Sequence, residues 1–346
     1  MSAGEQVIEG VGLPVEIGRI DRELGRLWED AGESRTRASL VNLVLYSEDP
    51  EALDENTRLV AEIAGRHACR AIVILAQPDA VESRARAWIN AHCYAAGKRQ
   101  ICSEQITFHL EGESAAALPS IVFSHLDSDL PLCFWWQGLF HRPADARLWS
   151  WVDRALYDSG VWEEPAGQFE AVWELAASGD GVALCDLNWA RVLATRFAVA
   201  SLFDHSAALG ALRRLDRVEI AHAPGCRTAA LLLLGWVASR LGWKVQPMIS
   251  SGFFLADAGA HVAFELTEAE GATVSRCSFF AGPGEFRVER CDAHFEATVR
   301  VAGSDEHPRL FGAGRETLPE LLVSELSRGG RHGNYRRAVE AILPLL

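Results

Sequence analysis

No apolar run in this 346-residue sequence approaches the roughly 20 residues that span a bilayer. The longest, Ala229–Ala238, stops between Arg227 and Arg240 and reads as a buried helix with wet ends. Met1–Gly12 carries two glutamates and no core of signal-peptide length, and no N-x-S/T acceptor occurs anywhere. The expected location is the cytoplasm. A basic excess is also missing: the net charge of −14 argues against nucleic acid and an anionic membrane surface as partners. The 8 cysteines stand singly, without C-x-x-C and without a His/Cys group at zinc-site spacing. The chain lacks G-x-G-x-x-G after a strand, G-x-x-x-x-G-K-[ST], G-x-S-x-G and H-E-x-x-H. These absences remove the familiar dinucleotide, nucleotide, serine-hydrolase and zinc-protease signatures, so no catalytic residue, metal or cofactor is assigned.

What is present is an ordinary globular composition, 49% hydrophobic and 23% charged, on a chain long enough for two cores. Ile17–Gly32 has helical apolar spacing. Ser39–Ser47, Arg70–Gln77, Ile101–Leu110 and Leu130–Trp136 read as strands, separated by helical stretches at Pro50–His67, Ala85–Ala95 and Ala115–Leu126. Strands that alternate with helices indicate βαβ units around a mostly parallel sheet. Runs such as LPLCFWW, apolar without alternation, suit central strands covered on both faces. The pattern restarts after Gly160, with a helix over Gly167–Ser178, a strand at Val182–Leu187 and a helix from Trp189 to Phe203. Arg217–Ala223, a helix over Ala229–Leu241 and Trp243–Ser250 follow. Ala260–Leu266, Ala272–Phe280, Glu285–Cys291 and Ala293–Val301 alternate and read as an antiparallel meander, before closing helices at Leu318–Leu326 and Asn334–Leu345. The expected fold is therefore α/β, with two domains of mostly parallel sheet over residues 1–160 and 161–346. The second ends in the meander and the C-terminal helices.

A few residues stand out against that pattern. In DLNWAR, Asp186 ends a strand, Asn188 suits a helix N-cap, and Arg191 falls where the helix dipole disfavours a cation. Asp186 is near enough in sequence to be the partner of Arg191. This is either a structural cap with a local ion pair or a contact for a partner or anion, with Asp186, Asn188, Trp189 and Arg191 as its candidates. Strict alternation puts Glu104 on the apolar face of its strand with Cys102, Ile106 and Phe108. Pairing with Arg66 or Arg70, a bulge that turns it outward, or a catalytic role would each account for it. Trp149, Trp151 and Trp162 cluster between the domains, where tryptophans suit an interface as well as a core. Cys102, Cys133 and Cys185 lie in apolar runs and read as core thiols, whereas Cys277 and Cys291 fall in a two-strand pattern that would let them face each other.

Several separated blocks, in one order, carry a resemblance. They are TRASLVNLVLY (Thr36–Tyr46), GRHACRAIVIL (Gly65–Leu75), CSEQITF (Cys102–Phe108), LPSIVFSHLDSDLPLCFWWQG (Leu118–Gly138), CDLNWAR (Cys185–Arg191) and LLLLGWVASRLGW (Leu231–Trp243). Together they resemble the OpcA family. The resemblance implies a non-catalytic assembly factor and allosteric activator that binds glucose-6-phosphate dehydrogenase and promotes its active oligomer. It would thereby regulate the oxidative pentose phosphate pathway. The family brings no catalytic residues to carry over, and no cysteine pair here matches the redox response attributed to some members. The competing reading is an enzyme acting on a sugar phosphate or nucleotide sugar, built on Asp186, Glu104 and Arg191 in a cleft between domains.

Overall fold

The computed structural model describes residues 11–29, 35–96, 99–177, 181–204, 206–245, 253–255, 261–301, 308–330 and 332–346. Two compact units emerge from the packing. One comprises Met1–Tyr157, Ala171–Cys185 and Leu322–Gly330; the other comprises Asp158–Glu170, Asp186–Leu321 and Arg331–Leu346.

The first unit is built on β1 (Leu13–Val15), α1 (Ile20–Glu29), β2 (Arg35–Arg37), β3 (Val41–Ser47), α2 (Ala52–Ala64), β4 (Cys69–Gln77), β5 (Arg84–Ala96) and β6 (Arg99–Glu111). The chain continues through α3 (Leu118–Ser124), β7 (Leu132–Gln137), α4 (Ala146–Trp149), β8 (Arg154–Tyr157), α5 (Pro165–Ala177, in this unit from Ala171) and β9 (Ala183–Asp186, in this unit to Cys185). The sheet runs β1-β5-β6-β4-β3-β7-β8-β9, with β2 also paired to β6. Strands β6, β4, β3, β7 and β8 are mutually parallel, as the alternating pattern requires. Every residue of β3 is buried, which explains its unbroken apolar character.

Ala85–Ala95 is not a helix. It lies in β5, which pairs antiparallel with β6 along thirteen residues of each strand. Its alanines permit a helix, but the partner strand supplies a ladder that a local reading does not include. The sequence pattern places Val182–Leu187 at the start of a second sheet; Ala183–Asp186 is instead the last strand of the first.

The second unit contains α6 (Leu187–Arg191), α7 (Leu193–Leu202), α8 (Ser206–Leu209), β10 (Arg217–His222), α9 (Arg227–Leu241), β11 (Lys244–Val245), β12 (Phe253–Leu255) and β13 (His261–Glu268). Then come β14 (Val274–Ala281), β15 (Gly284–Cys291), β16 (His294–Arg300), β17 (Arg309–Gly312), α10 (Leu318–Ser327, in this unit only to Leu321) and α11 (Gly333–Ile342). Its sheet runs β11-β12-β13-β10-β14-β15-β16-β17. The meander is present over β14–β17, but β10 enters between β13 and β14, parallel to the former and antiparallel to the latter. The rest of the strand expected at Trp243–Ser250, beyond Val245, lies outside the described residues, as does His205.

Helix α9 is apolar all round because it is buried all round, from Thr228 through Ala238 with little interruption. Gly235 permits a close approach of two helices: a Cβ there would lie 2.3 Å from the Ala338 carbonyl oxygen and 2.7 Å from Ile342 Cγ2 of α11. Gly235→Ala should therefore destabilise by about 1–3 kcal/mol through overpacking, despite a gain of about 1 kcal/mol in helix propensity. Thermal unfolding checks this; an unchanged or raised midpoint would show that α11 shifts freely.

Candidate functional site

The DLNWAR segment forms a node within the second unit. Asp186 is only 1% exposed, yet its carboxylate accepts four hydrogen bonds. Oδ1 accepts from the Ser159 amide at 3.0 Å and the Asn188 amide at 2.9 Å. Oδ2 accepts from the Ser159 hydroxyl at 2.7 Å and the Tyr335 hydroxyl of α11 at 3.0 Å. Burial pushes the Asp186 carboxyl up to about 6, outweighing the pull of the Ser159 hydroxyl and the two amides.

The N-cap is therefore Asp186 and not Asn188, and the helix starts at Leu187. Asn188 Nδ2 donates to the Ser159 hydroxyl at 3.2 Å. Because α6 is short, Arg191 falls in its last turn, where a cation suits the dipole. Its partner is Asp158 and not Asp186: Nη1 and Nη2 donate to the two Asp158 oxygens at 2.7 and 2.6 Å, a bidentate pair. Trp189 is buried, with the Arg196 guanidinium 3.3 Å from its ring centroid and the Tyr335 ring at 5.5 Å. Asp158, Ser159 and Tyr335 carry no local signal in the sequence. Asp158 lies 33 residues before Arg191, Ser159 lies 27 before Asp186, and Tyr335 lies 149 after it. No periodic pattern links positions so far apart.

Glu104 belongs to the first unit. It stays on the buried face of β6, 1% exposed, and is paired rather than turned outward. Arg70 Nη1 donates to its Oε2 at 2.8 Å and the half-exposed Arg37 approaches the same oxygen at 3.1 Å. Arg70 also donates through Nε to the His125 carbonyl. Of the two arginines expected, Arg70 pairs with it; Arg37, which carried no signal, is brought there by the pairing of β2 with β6. Glu104 and Asp186 thus draw their partners from different units.

The tryptophans separate by exposure. Trp149 and Trp162 are buried, whereas Trp151 is 64% exposed with its ring 5.1 Å from Phe123. Trp149 joins Phe134, Trp136 and Phe140 in an aromatic cluster, and Trp136 stacks on Tyr46 at 4.0 Å. Beside this cluster lies a cavity of about 360 Å³ walled by Leu118, Pro119, Trp136, Phe140 and Trp149, with Asp145 and Arg147 as polar neighbours. Its apolar walls suit an aliphatic or aromatic group.

Cysteine pairing differs from expectation. Cys93 and Cys102, directly opposite on β5 and β6, form a disulfide. The dipeptide Gly97-Lys98, midway between them, was the available hairpin signal. Cys277 and Cys291 do not face each other: Cys277 opposes Val288, and Cys291 opposes His294. Burial pushes the Cys69 and Cys133 thiols up to about 12, as suits inert core residues. Among the described residues no helix is long and apolar enough to cross a membrane.

Comparison with known proteins gives one consistent family. Residues 60–174 match the N-terminal domain, and residues 182–339 the C-terminal domain, of the family described as "Glucose-6-phosphate dehydrogenase subunit". The "Putative OxPP cycle protein OpcA" of Nostoc punctiforme is 33% identical over 199 residues, 54% of this chain and 41% of that protein. The protein of the same name from Synechocystis is 28% identical over 330 residues, 84% of this chain and 66% of that protein. The chain thus spans between about two fifths and two thirds of the length of these relatives. Among solved structures, an aldose-aldose oxidoreductase from Caulobacter crescentus aligns with 88% of this chain and 96% of its own at 12% identity, with a TM-score of 0.46.

Proposed function

Because the chain belongs to the OpcA family, we propose that it binds glucose-6-phosphate dehydrogenase in the cytoplasm and promotes that enzyme's active oligomeric state. It acts as an allosteric activator of the oxidative pentose phosphate pathway and performs no chemistry of its own. The observation that carries this reading is the pair of family matches over residues 60–174 and 182–339, both to domains described as parts of a "Glucose-6-phosphate dehydrogenase subunit". The geometry is compatible: both oxygens of Asp186 and the Oε2 of Glu104 are spent on fixed partners in their own units, as in structural carboxylates. An activator works by binding the active state of its target more tightly than the inactive one.

Of the candidate contact residues, Trp151 offers the largest free apolar surface, and Arg191 retains partial exposure beside Asp158. Asp186, Asn188, Trp189, Glu104 and Trp149 are buried. The test is co-elution with the cognate dehydrogenase in size-exclusion chromatography, together with its rate over a range of glucose 6-phosphate. We expect a complex and a raised kcat/KM; neither co-elution nor any kinetic change would sink the proposal. Trp151→Ala should weaken the complex by about tenfold or more, the loss usual for an aromatic anchor. Equal affinity in the variant would remove Trp151 from the interface.

A further inference from the structure

The outer face of the β15–β16 hairpin gathers residues that the proposed activator role leaves unused. Both strands alternate strictly: Phe286, Val288, Phe295, Ala297 and Val299 are buried, so Glu289, Cys291, His294 and Glu296 share the opposite face. The register places Cys291 directly opposite His294, and Glu289 opposite Glu296. Cys291 Sγ, a ring nitrogen of His294 and a carboxylate oxygen of Glu296 all lie within 4.8 Å of one another. His294 Nε2 is already 3.6 Å from Glu296 Oε1. Metal bonds of about 2.0–2.3 Å would need ligand atoms somewhat closer than this, a change within reach of side-chain rotation.

The neighbours leave this corner negative. Glu289 has Arg287 at 3.9 Å and Arg276 opposite it on β14, so it is offset. Arg290 is engaged with Glu316 on the other face. Glu296 forms its ion pair with His294 and with no arginine or lysine among the described residues. The carboxylates of Glu296, Glu289 and Asp292 act on the Cys291 sulfur, and their field attracts a cation. Asp292, at φ 51°, makes the tight turn that holds the two strands in this register.

We propose that Cys291, His294 and Glu296 form a binding site for Zn²⁺ or a transition-metal ion of similar preference. One thiolate, one imidazole and one carboxylate fit a borderline ion, whereas Mg²⁺ and Ca²⁺ favour all-oxygen sets. On coordination the Cys291 thiol gives its proton to solvent, and the Cys291 sulfur, a His294 nitrogen and a Glu296 oxygen each donate a lone pair. Three protein ligands leave the fourth position of a tetrahedral ion to water or to an outside ligand.

The test uses the full chain, with no reductant so that Cys93–Cys102 stays closed, titrated with Co²⁺ and then Zn²⁺. The expected result is a thiolate-to-cobalt charge-transfer absorption that saturates at one ion per chain and is displaced by Zn²⁺. Cys291→Ser should abolish the absorption, while Cys226→Ser, altering the other half-exposed free thiol, should leave it in place. His294→Ala should weaken binding by at least about tenfold, the low end of what even outer-shell changes cost at metal sites. Circular dichroism confirms that each variant is folded; a variant that is not is replaced by Cys291→Ala or His294→Gln. No absorption, an absorption that survives loss of Cys291, or undiminished affinity without His294 would each overturn the site.

Discussion

Asp186→Ala is expected to destabilise the second unit by about 3–5 kcal/mol, since each buried donor left unsatisfied costs about 1–3 kcal/mol. The change strands four donors at once: the Ser159 amide and hydroxyl, the Asn188 amide and the Tyr335 hydroxyl. None has water to turn to, since Ser159, Asp186 and Tyr335 are all essentially buried. Tyr335→Phe, which removes only one donor, should cost about 1 kcal/mol. Urea unfolding of the variants reads this order, and an Asp186→Ala midpoint equal to that of the parent would refute it. The pH dependence follows from the same burial. The carboxyl is pushed up from about 3.8 to about 6 in the fold, so the folded chain binds this proton more tightly than the unfolded one. Its contribution is fully present below pH 3.8 and is lost as the pH rises through about 6. Asp186→Asn should flatten that part of the stability curve, and a curve of unchanged slope between about pH 4 and 6 would exclude Asp186 as its source.

Glu104→Ala should produce a loss of similar size, about 3–5 kcal/mol, in the first unit. It leaves Arg70, side chain 8% exposed, with the His125 carbonyl and an exposed Asp21 carboxylate at 3.7 Å as its remaining partners. The cost arises from the orphaned guanidinium more than from the lost attraction, so Arg70→Met on the Glu104→Ala background should recover part of it. Salt should alter the Glu104→Ala effect little, because a pair this buried is poorly screened. Additive losses in the double variant would contradict the coupling. Neither prediction depends on a binding partner, so both distinguish a structural role from a contact role at these positions.

Legibility in the sequence varied with the range of the deciding interaction. Helix α9 and strands β3, β4 and β7 were legible because being covered on all sides leaves an unbroken apolar run. The meander was legible because one-sided burial forces period-two alternation. β5 was not, since an alanine-containing stretch has no strong local preference and β6 decides its state. In the candidate site, the anomaly of Glu104 was visible but its second arginine was not; Arg37 reaches it through the pairing of β2 with β6.

By itself the sequence determined the α/β class, the central strands, the positions of the two unusual carboxylates and the family to which the chain belongs. These follow from hydrophobic periodicity and from blocks of residues in order, both properties of neighbouring positions. Only the tertiary structure decided what satisfies those carboxylates, that Arg191 pairs with Asp158, that Cys93 joins Cys102, and that Cys291 meets His294. Each of those depends on register or on chain segments brought together by packing. A buried charge demands a partner, but only the fold says which one is within reach.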